Sequence, residues 1–155
     1  MSISLVVVST AWAQLPNPVL NSVFPAGGQV GKTMEVTVSG SALDGLTQLV
    51  CNQPNITFEH IEGNRFRVTI PKSVPTGLYD LRAVCRNGLS SPRTFFVGNR
   101  AELLETEPND THPTGQSVPL NVSINGRIEK GGDLDQFRFS ANQGQRVVIE
   151  CWAER

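Results

Sequence analysis

Arg65-Phe66-Arg67-Val68-Thr69-Ile70 is the stretch whose reading decides the fold. Every second side chain is apolar. A period of two puts Phe66, Val68 and Ile70 on one face of an extended strand and Arg65, Arg67 and Thr69 on the other. The same beat runs through Met34, Val36 and Val38, which alternate with Glu35, Thr37 and Ser39. It recurs in Tyr79, Leu81, Ala83 and Cys85, set against Asp80, Arg82 and Val84. Turn signals separate these runs: Gly27-Gly28, Ser39-Gly40, Gly63-Asn64, Pro75-Thr76-Gly77 and Asn87-Gly88. Short alternating strands at regular spacing predict an Ig-like β-sandwich over residues 21–98. No stretch carries the i, i+3, i+4, i+7 pattern of an amphipathic helix, so the expected class is all-β.

The chain changes character after residue 98. Glu102, Glu105, Glu107 and Asp110 gather in a few positions, with Pro108 and Asn109-Asp110 interrupting regular structure. Residues 99–112 read as an acidic hinge. Alternation then resumes: Val122 and Ile124 precede the Asn125-Gly126 turn, Phe137 and Phe139 alternate with Gln136 and Arg138, and Val147, Ile149 and Cys151 follow Gly144. A second β unit is predicted there, over residues 104–155.

Composition narrows the function classes. The chain has 155 residues, with 13 Lys+Arg against 14 Asp+Glu, a net charge of −1 and 39% hydrophobic residues. A nucleic-acid surface would show a basic stripe, and none is present. No apolar run approaches the roughly 20 residues of a membrane-spanning helix. Ile3 to Ala11 is a short apolar stretch that ends in Ala11-Trp12-Ala13, the small-x-small pattern of a leader cleavage site, although no basic residue precedes Lys32. Residues 1–13 therefore read as a signal peptide, with residues 14–20 as a Pro-rich linker. The other reading is an N-terminal strand that buries Val6, Val7 and Val8. Export implies an extracytoplasmic place: secreted, periplasmic or cell-surface. Cys51 and Cys85 lie in one predicted domain, where an oxidising space permits a single bridge. The other reading is two buried free thiols that behave as small hydrophobes. Cys151 is left over, and no C-x-x-C pair offers a structural zinc site.

Two resemblances follow from particular residues. Phe24-Pro25-Ala26-Gly27-Gly28, Gly31, Val36-Thr37-Val38-Ser39-Gly40 and Leu43 resemble the opening of an immunoglobulin-like TIG (IPT) domain. Pro71, Val74 to Leu81 and Asn87-Gly88-Leu89-Ser90 resemble its last hairpin. Further on, Glu105-Thr106-Glu107-Pro108-Asn109-Asp110-Thr111, Asn125-Gly126-Arg127-Ile128, Gly132-Asp133-Leu134-Asp135-Gln136-Phe137-Arg138-Phe139 and Ala141-Asn142-Gln143-Gly144-Gln145 occur in order. They resemble the bacterial pre-peptidase C-terminal (PPC) domain, a jelly-roll-like β-sandwich appended to secreted peptidases and other exported proteins. The family domain continues for several more strands, which makes Leu104 to Arg155 an incomplete copy and the chain a fragment of a larger exported protein. Some collagen-binding members of that family hold calcium. The resemblance carries those ligands onto Glu105, Glu107, Asn109, Asp110, Asp133 and Asp135.

The chemistry of those residues agrees with a hard cation, because calcium takes six to eight oxygen ligands in a flexible arrangement. In an extended segment Glu105, Glu107 and Asn109 project to one side, and Pro108 can turn the chain to bring Asp110 round. The plain alternative is a solvated acidic hinge in which Asn109-Asp110 caps a turn. Ala26-Gly27-Gly28-Gln29-Val30-Gly31-Lys32-Thr33 imitates a phosphate-binding loop, but a strand rather than a helix is expected after it, which excludes a nucleotide. His60 and His112 have no nucleophile motif beside them, and Asp133 and Asp135 have no cleft opposite. The expected function is therefore non-catalytic: a binding, targeting or spacer module with an extracellular polysaccharide or protein ligand, stiffened by calcium at the hinge. The alternative is an accessory region of a secreted peptidase whose catalytic domain lies outside this chain.

Overall fold

The computed structural model describes residues 15–153. The expected leader, residues 1–13, lies outside the described residues. Thirteen strands and no helix occur among them. They are β1 (Val19–Phe24), β2 (Gly27–Gln29), β3 (Lys32–Ser41), β4 (Gln48–Cys51), β5 (Thr57–Glu62), β6 (Arg65–Ile70), β7 (Gly77–Cys85), β8 (Gly88–Leu89), β9 (Arg93–Gly98), β10 (Ala101–Leu104), β11 (Gln116–Ser117), β12 (Val122–Asn125) and β13 (Phe137–Arg138). The all-β class read from alternation is the class observed.

The first nine strands make two sheets, ordered β1-β3-β6-β5 and β2-β9-β7-β4, with β8 paired to β7. Leu20, Val36, Val38, Phe66, Val68 and Ile70 from one sheet are buried, as are Leu49, Leu81, Ala83, Phe95 and Val97 from the other. These alternating inward residues form one hydrophobic cluster, which is the layered packing of a sandwich. Phe58 meets Phe95 edge-on, with ring centroids 6.3 Å apart. The outward positions of β3, β5 and β6 carry ion pairs, Arg65 with Glu35 and Glu62 at 2.7 Å and Arg67 with Glu59 at 2.9 Å. At such exposed sites each pair is worth less than about 1 kcal/mol, so apolar burial dominates the stability.

Several expectations are corrected. β1 begins at Val19, inside the expected Pro-rich linker 14–20, because Leu20 is drawn fully into the core. Gly27-Gly28 is not a turn but part of β2, which pairs parallel with Phe96-Val97 of β9. A Cβ on Gly27 would stand 2.5 Å from the Phe96 carbonyl oxygen, so the glycine marks a close backbone approach. Ser39-Gly40 lies within β3 and pairs with β1. The stretch that imitates a phosphate-binding loop folds as strand, turn and strand.

The disulfide reading is also corrected: Cys51 and Cys85 are free thiols. Register explains this. Cys51 stands opposite Leu81 across the β4–β7 pair. Cys85 lies four residues further along β7, roughly 13 Å away in an extended strand. A bridge needs Cα atoms within about 7 Å.

Residues beyond 98 pair differently. β10 runs parallel to β12, with Ala101 opposite Val122 and Leu104 opposite Asn125. β11 runs parallel to β13. The expected hinge, 99–112, thus contains a paired strand. A parallel pair requires a crossover connection, and the β10–β12 crossover carries the acidic segment. Val147, Ile149 and Cys151 form no strand. Alternation marks a face, whereas a strand also needs a neighbour for its N–H and C=O groups, and none of the described residues supplies one.

Candidate metal centre

Parallel register brings the centre together. Because Leu104 stands opposite Asn125, the residues that leave the two strands, Glu105 and Gly126-Arg127, emerge side by side. The Glu105 backbone N–H donates to the Asn125 carbonyl at 3.0 Å. In return, the Arg127 backbone N–H donates to Glu105 Oε1 at 2.5 Å. The Glu105 carboxylate lies close over residue 126, with Oε2 2.7 Å from where a Cβ would stand. The Asn-Gly turn signal thus marks a place where a carboxylate lies against the main chain.

The second pair supplies the other wall. The Gln136 backbone N–H, just before β13, donates to the Asn109 carbonyl at 3.2 Å, and its side-chain Nε2 donates to the Asp110 carbonyl at 2.8 Å. Asp135 therefore faces the crossover. Carboxylate oxygens of Glu105, Glu107 and Asp135 all lie within 4.8 Å of one another. The Asn109 backbone N–H donates to Glu107 Oε2 at 2.9 Å, so Asn109 is held between Glu107 and the chain that follows Asp135.

Three of the six expected ligands thus form the cluster, and Asn109 adjoins it. The Asp110 and Asp133 carboxylates are not among the mutually close oxygens. Asp133 is buried, and its Oδ2 accepts the Glu129 backbone N–H at 2.6 Å while its own N–H donates to the Lys130 carbonyl at 3.2 Å. Those bonds tie the 129–133 turn and engage one of the two carboxylate oxygens. Gln136, Gly126 and Arg127 position the cluster. Their part in it depends on parallel register, which carries no local sequence signal beyond the Asn125-Gly126 turn.

The polar groups are poorly satisfied. Asn109 is 0% exposed, yet neither its Oδ1 nor its Nδ2 has a hydrogen-bond partner, and Glu105 Oε2 and Asp135 Oδ1 are likewise buried and unpartnered. An orphaned buried polar group costs about 1–3 kcal/mol. Burial pushes the Glu105 carboxyl above its ordinary range, opposed by the Arg127 N–H and reinforced by Asp135 and Glu107. Asp135 is also raised, first by burial and then by the nearby Asp133 charge. Glu102 is raised by burial, although Asn125 and Ser123 donate to it. The arrangement favours anything that brings positive charge to these oxygens.

The histidines lie elsewhere. His60 Nε2 is 2.9 Å from the Gly63 carbonyl and its ring packs 4.9 Å from that of Phe66, which ties the β5–β6 hairpin. His112 is exposed in the crossover. Two open surface depressions, one between the β3–β4 connection and Gly63-Asn64 and one between β4 and β5, contain no acid or base side chain in their lining apart from the Cys51 thiol. No helix among the described residues is long and apolar enough to cross a membrane.

No family model matches the chain, and no curated protein matches it. Among solved structures it is similar to SGBP-B of the mixed-linkage glucan utilization locus of Bacteroides ovatus, in complex with a mixed-linkage heptasaccharide. That match has 22% identity and a TM-score of 0.40, over 64% of this chain and 24% of that one. A gamma-CGTase from alkalophilic Bacillus clarkii matches at 17% identity and TM-score 0.38, over 60% of this chain and 15% of that one. The titin M3 domain matches at 19% identity and TM-score 0.32, over 52% of this chain and 95% of that one. The chain thus spans about a quarter or less of the first two proteins. Identities and superpositions this low say nothing of what it binds.

Proposed function

We propose that this chain is a non-catalytic module of an exported or cell-surface protein, a binding or spacing unit in which an Ig-like, TIG-like sandwich precedes a PPC-like β unit, and that a calcium ion stiffens the junction. The observation that carries the cation is the grouping of Glu105, Glu107 and Asp135 within 4.8 Å, together with the buried, unpartnered amide of Asn109, a residue whose backbone N–H donates to Glu107. The donors are all oxygen, which suits calcium; no His or Cys belongs to the group, as zinc would prefer. Glu105, Glu107, Asp135 and Asn109 Oδ1 would hold the ion, and second carboxylate oxygens or water would complete its shell. The ion would offset the repulsion among three carboxylates and give the orphaned amide oxygen a partner. The extracellular ligand is a polysaccharide or a protein.

Isothermal titration of the chain with calcium tests this reading. Wild type should bind one ion per chain, and Glu107→Ala and Asp135→Asn should each weaken binding at least tenfold. Absence of binding, or binding unchanged in both variants, would remove the ion from the account.

A further inference from the structure

The turn that accepts Glu105 also touches the first sandwich. Asn125 Oδ1 accepts the Ala26 backbone N–H at 3.2 Å. The Arg127 guanidinium carbon stands 4.1 Å from the centroid of the Phe24 ring, a cation–π arrangement. Ala26 and Phe24 flank the point where the chain passes from β1 to β2. Asn125 is itself held from the other side, where its Nδ2 donates to Glu102 Oε2 at 2.7 Å. Asn125-Gly126-Arg127 is therefore gripped on one side by Glu102 and Glu105, and on the other side it grips the first sandwich.

We propose that Asn125-Gly126-Arg127 is a latch through which cation loading at Glu105, Glu107 and Asp135 fixes the orientation of the second β unit against the first; the inference rests on the calcium reading above. The Glu105 carboxylate belongs to both assemblies. Oε1 accepts the Arg127 N–H, Oε2 is buried and unpartnered, and the carboxylate as a whole belongs to the cluster with Glu107 and Asp135. Without a cation, Glu107 and Asp135 repel that carboxylate and favour side-chain positions that release Arg127. A bound ion holds Glu105 in the one position that also grips the turn. Linkage then works both ways: whatever loosens the Phe24 contact must weaken calcium binding by the factor by which calcium tightens the contact.

Phe24→Leu separates the two claims, since Phe24 is no part of the cluster. NMR residual dipolar couplings report the alignment of each unit, and calorimetry reports calcium affinity on the same samples. In wild type with calcium the two units should share one alignment tensor; with EDTA their tensors should diverge. Phe24→Leu should keep the tensors apart in calcium and lower affinity about two- to fivefold, the range of an exposed cation–π contact. Arg127→Gln retains the backbone donor to Glu105, leaves the sandwich core untouched and should act in the same direction. Calcium binding of wild-type strength in both variants, with tensors that respond to calcium as before, would overturn the latch and leave the calcium site standing. No calcium binding to wild type would overturn the calcium reading and the latch together.

Discussion

Glu105→Gln is expected to move stability in opposite directions with and without calcium. Three carboxylates lie within 4.8 Å of one another. One like-charge pair at that distance costs about 1 kcal/mol in a water-like dielectric and more in a lower one. Partial exposure keeps the effective value near the lower figure. Removing the Glu105 charge abolishes two of the three repulsions, a gain of about 1–2 kcal/mol. The replacement amide keeps a carbonyl oxygen for the Arg127 N–H, and its new NH2 group can donate to Asp135. In EDTA the variant should therefore melt above wild type, by roughly 2–4 °C per kcal/mol for a chain of this length. In calcium the order should reverse. At a hundredfold excess over the dissociation constant, wild type gains about 2.7 kcal/mol, whereas the variant has lost a ligand and gains little. Scanning calorimetry of both proteins in both buffers gives the four melting temperatures. A variant that melts below wild type in EDTA, with calcium raising both equally, refutes the reasoning about charge at this cluster.

Other consequences are simpler to measure. Glu102 has a folded-state pKa raised above 4.5, chiefly by burial; its contribution to stability is complete below that value and is lost as pH rises through the raised one. Glu102→Gln should accordingly make the fall of stability between pH 4.5 and 7 less steep in metal-free urea titrations, and an unchanged slope speaks against the burial. Phe66 is fully buried in the sandwich, so Phe66→Ala should cost about 3–5 kcal/mol in chemical denaturation, and a loss under 1 kcal/mol would contradict the assigned core. Native alkylation without reductant should label exposed Cys151 first, Cys51 slowly and Cys85 only on unfolding, because the last is buried. A Cys51–Cys85 bridge in the mass spectrum would contradict the strand register.

The first sandwich was legible because its signal is local. Phe66, Val68 and Ile70 alternate in the sequence and are buried in the structure. Glycines misled where they serve close packing: Gly27 and Gly40 look like turn residues but lie in strands, with backbone from a neighbouring strand where a side chain would stand. The acidic cluster was legible only in part. Glu105, Glu107 and Asn109 stand out by residue type within one short segment, whereas Asp135 comes only from the resemblance to the PPC family. What the chain does with Asp133 could not be named, because that depends on the turn from Glu129 to Asp133. Nor could the place of Gly126 and Arg127, which comes from parallel register between strands about twenty residues apart. The alternation of Val147, Ile149 and Cys151 predicts a strand, but pairing is a property of two segments and alternation reports on only one.

The most direct measurement is a crystal structure of the chain grown in calcium, with anomalous differences collected at long wavelength. A calcium peak about 2.3–2.6 Å from carboxylate oxygens of Glu105, Glu107 and Asp135, with Asn109 Oδ1 turned onto it, is the predicted result. A well-ordered cluster without a peak, with water on the Asn109 amide and the three carboxylates spread apart, would contradict the account.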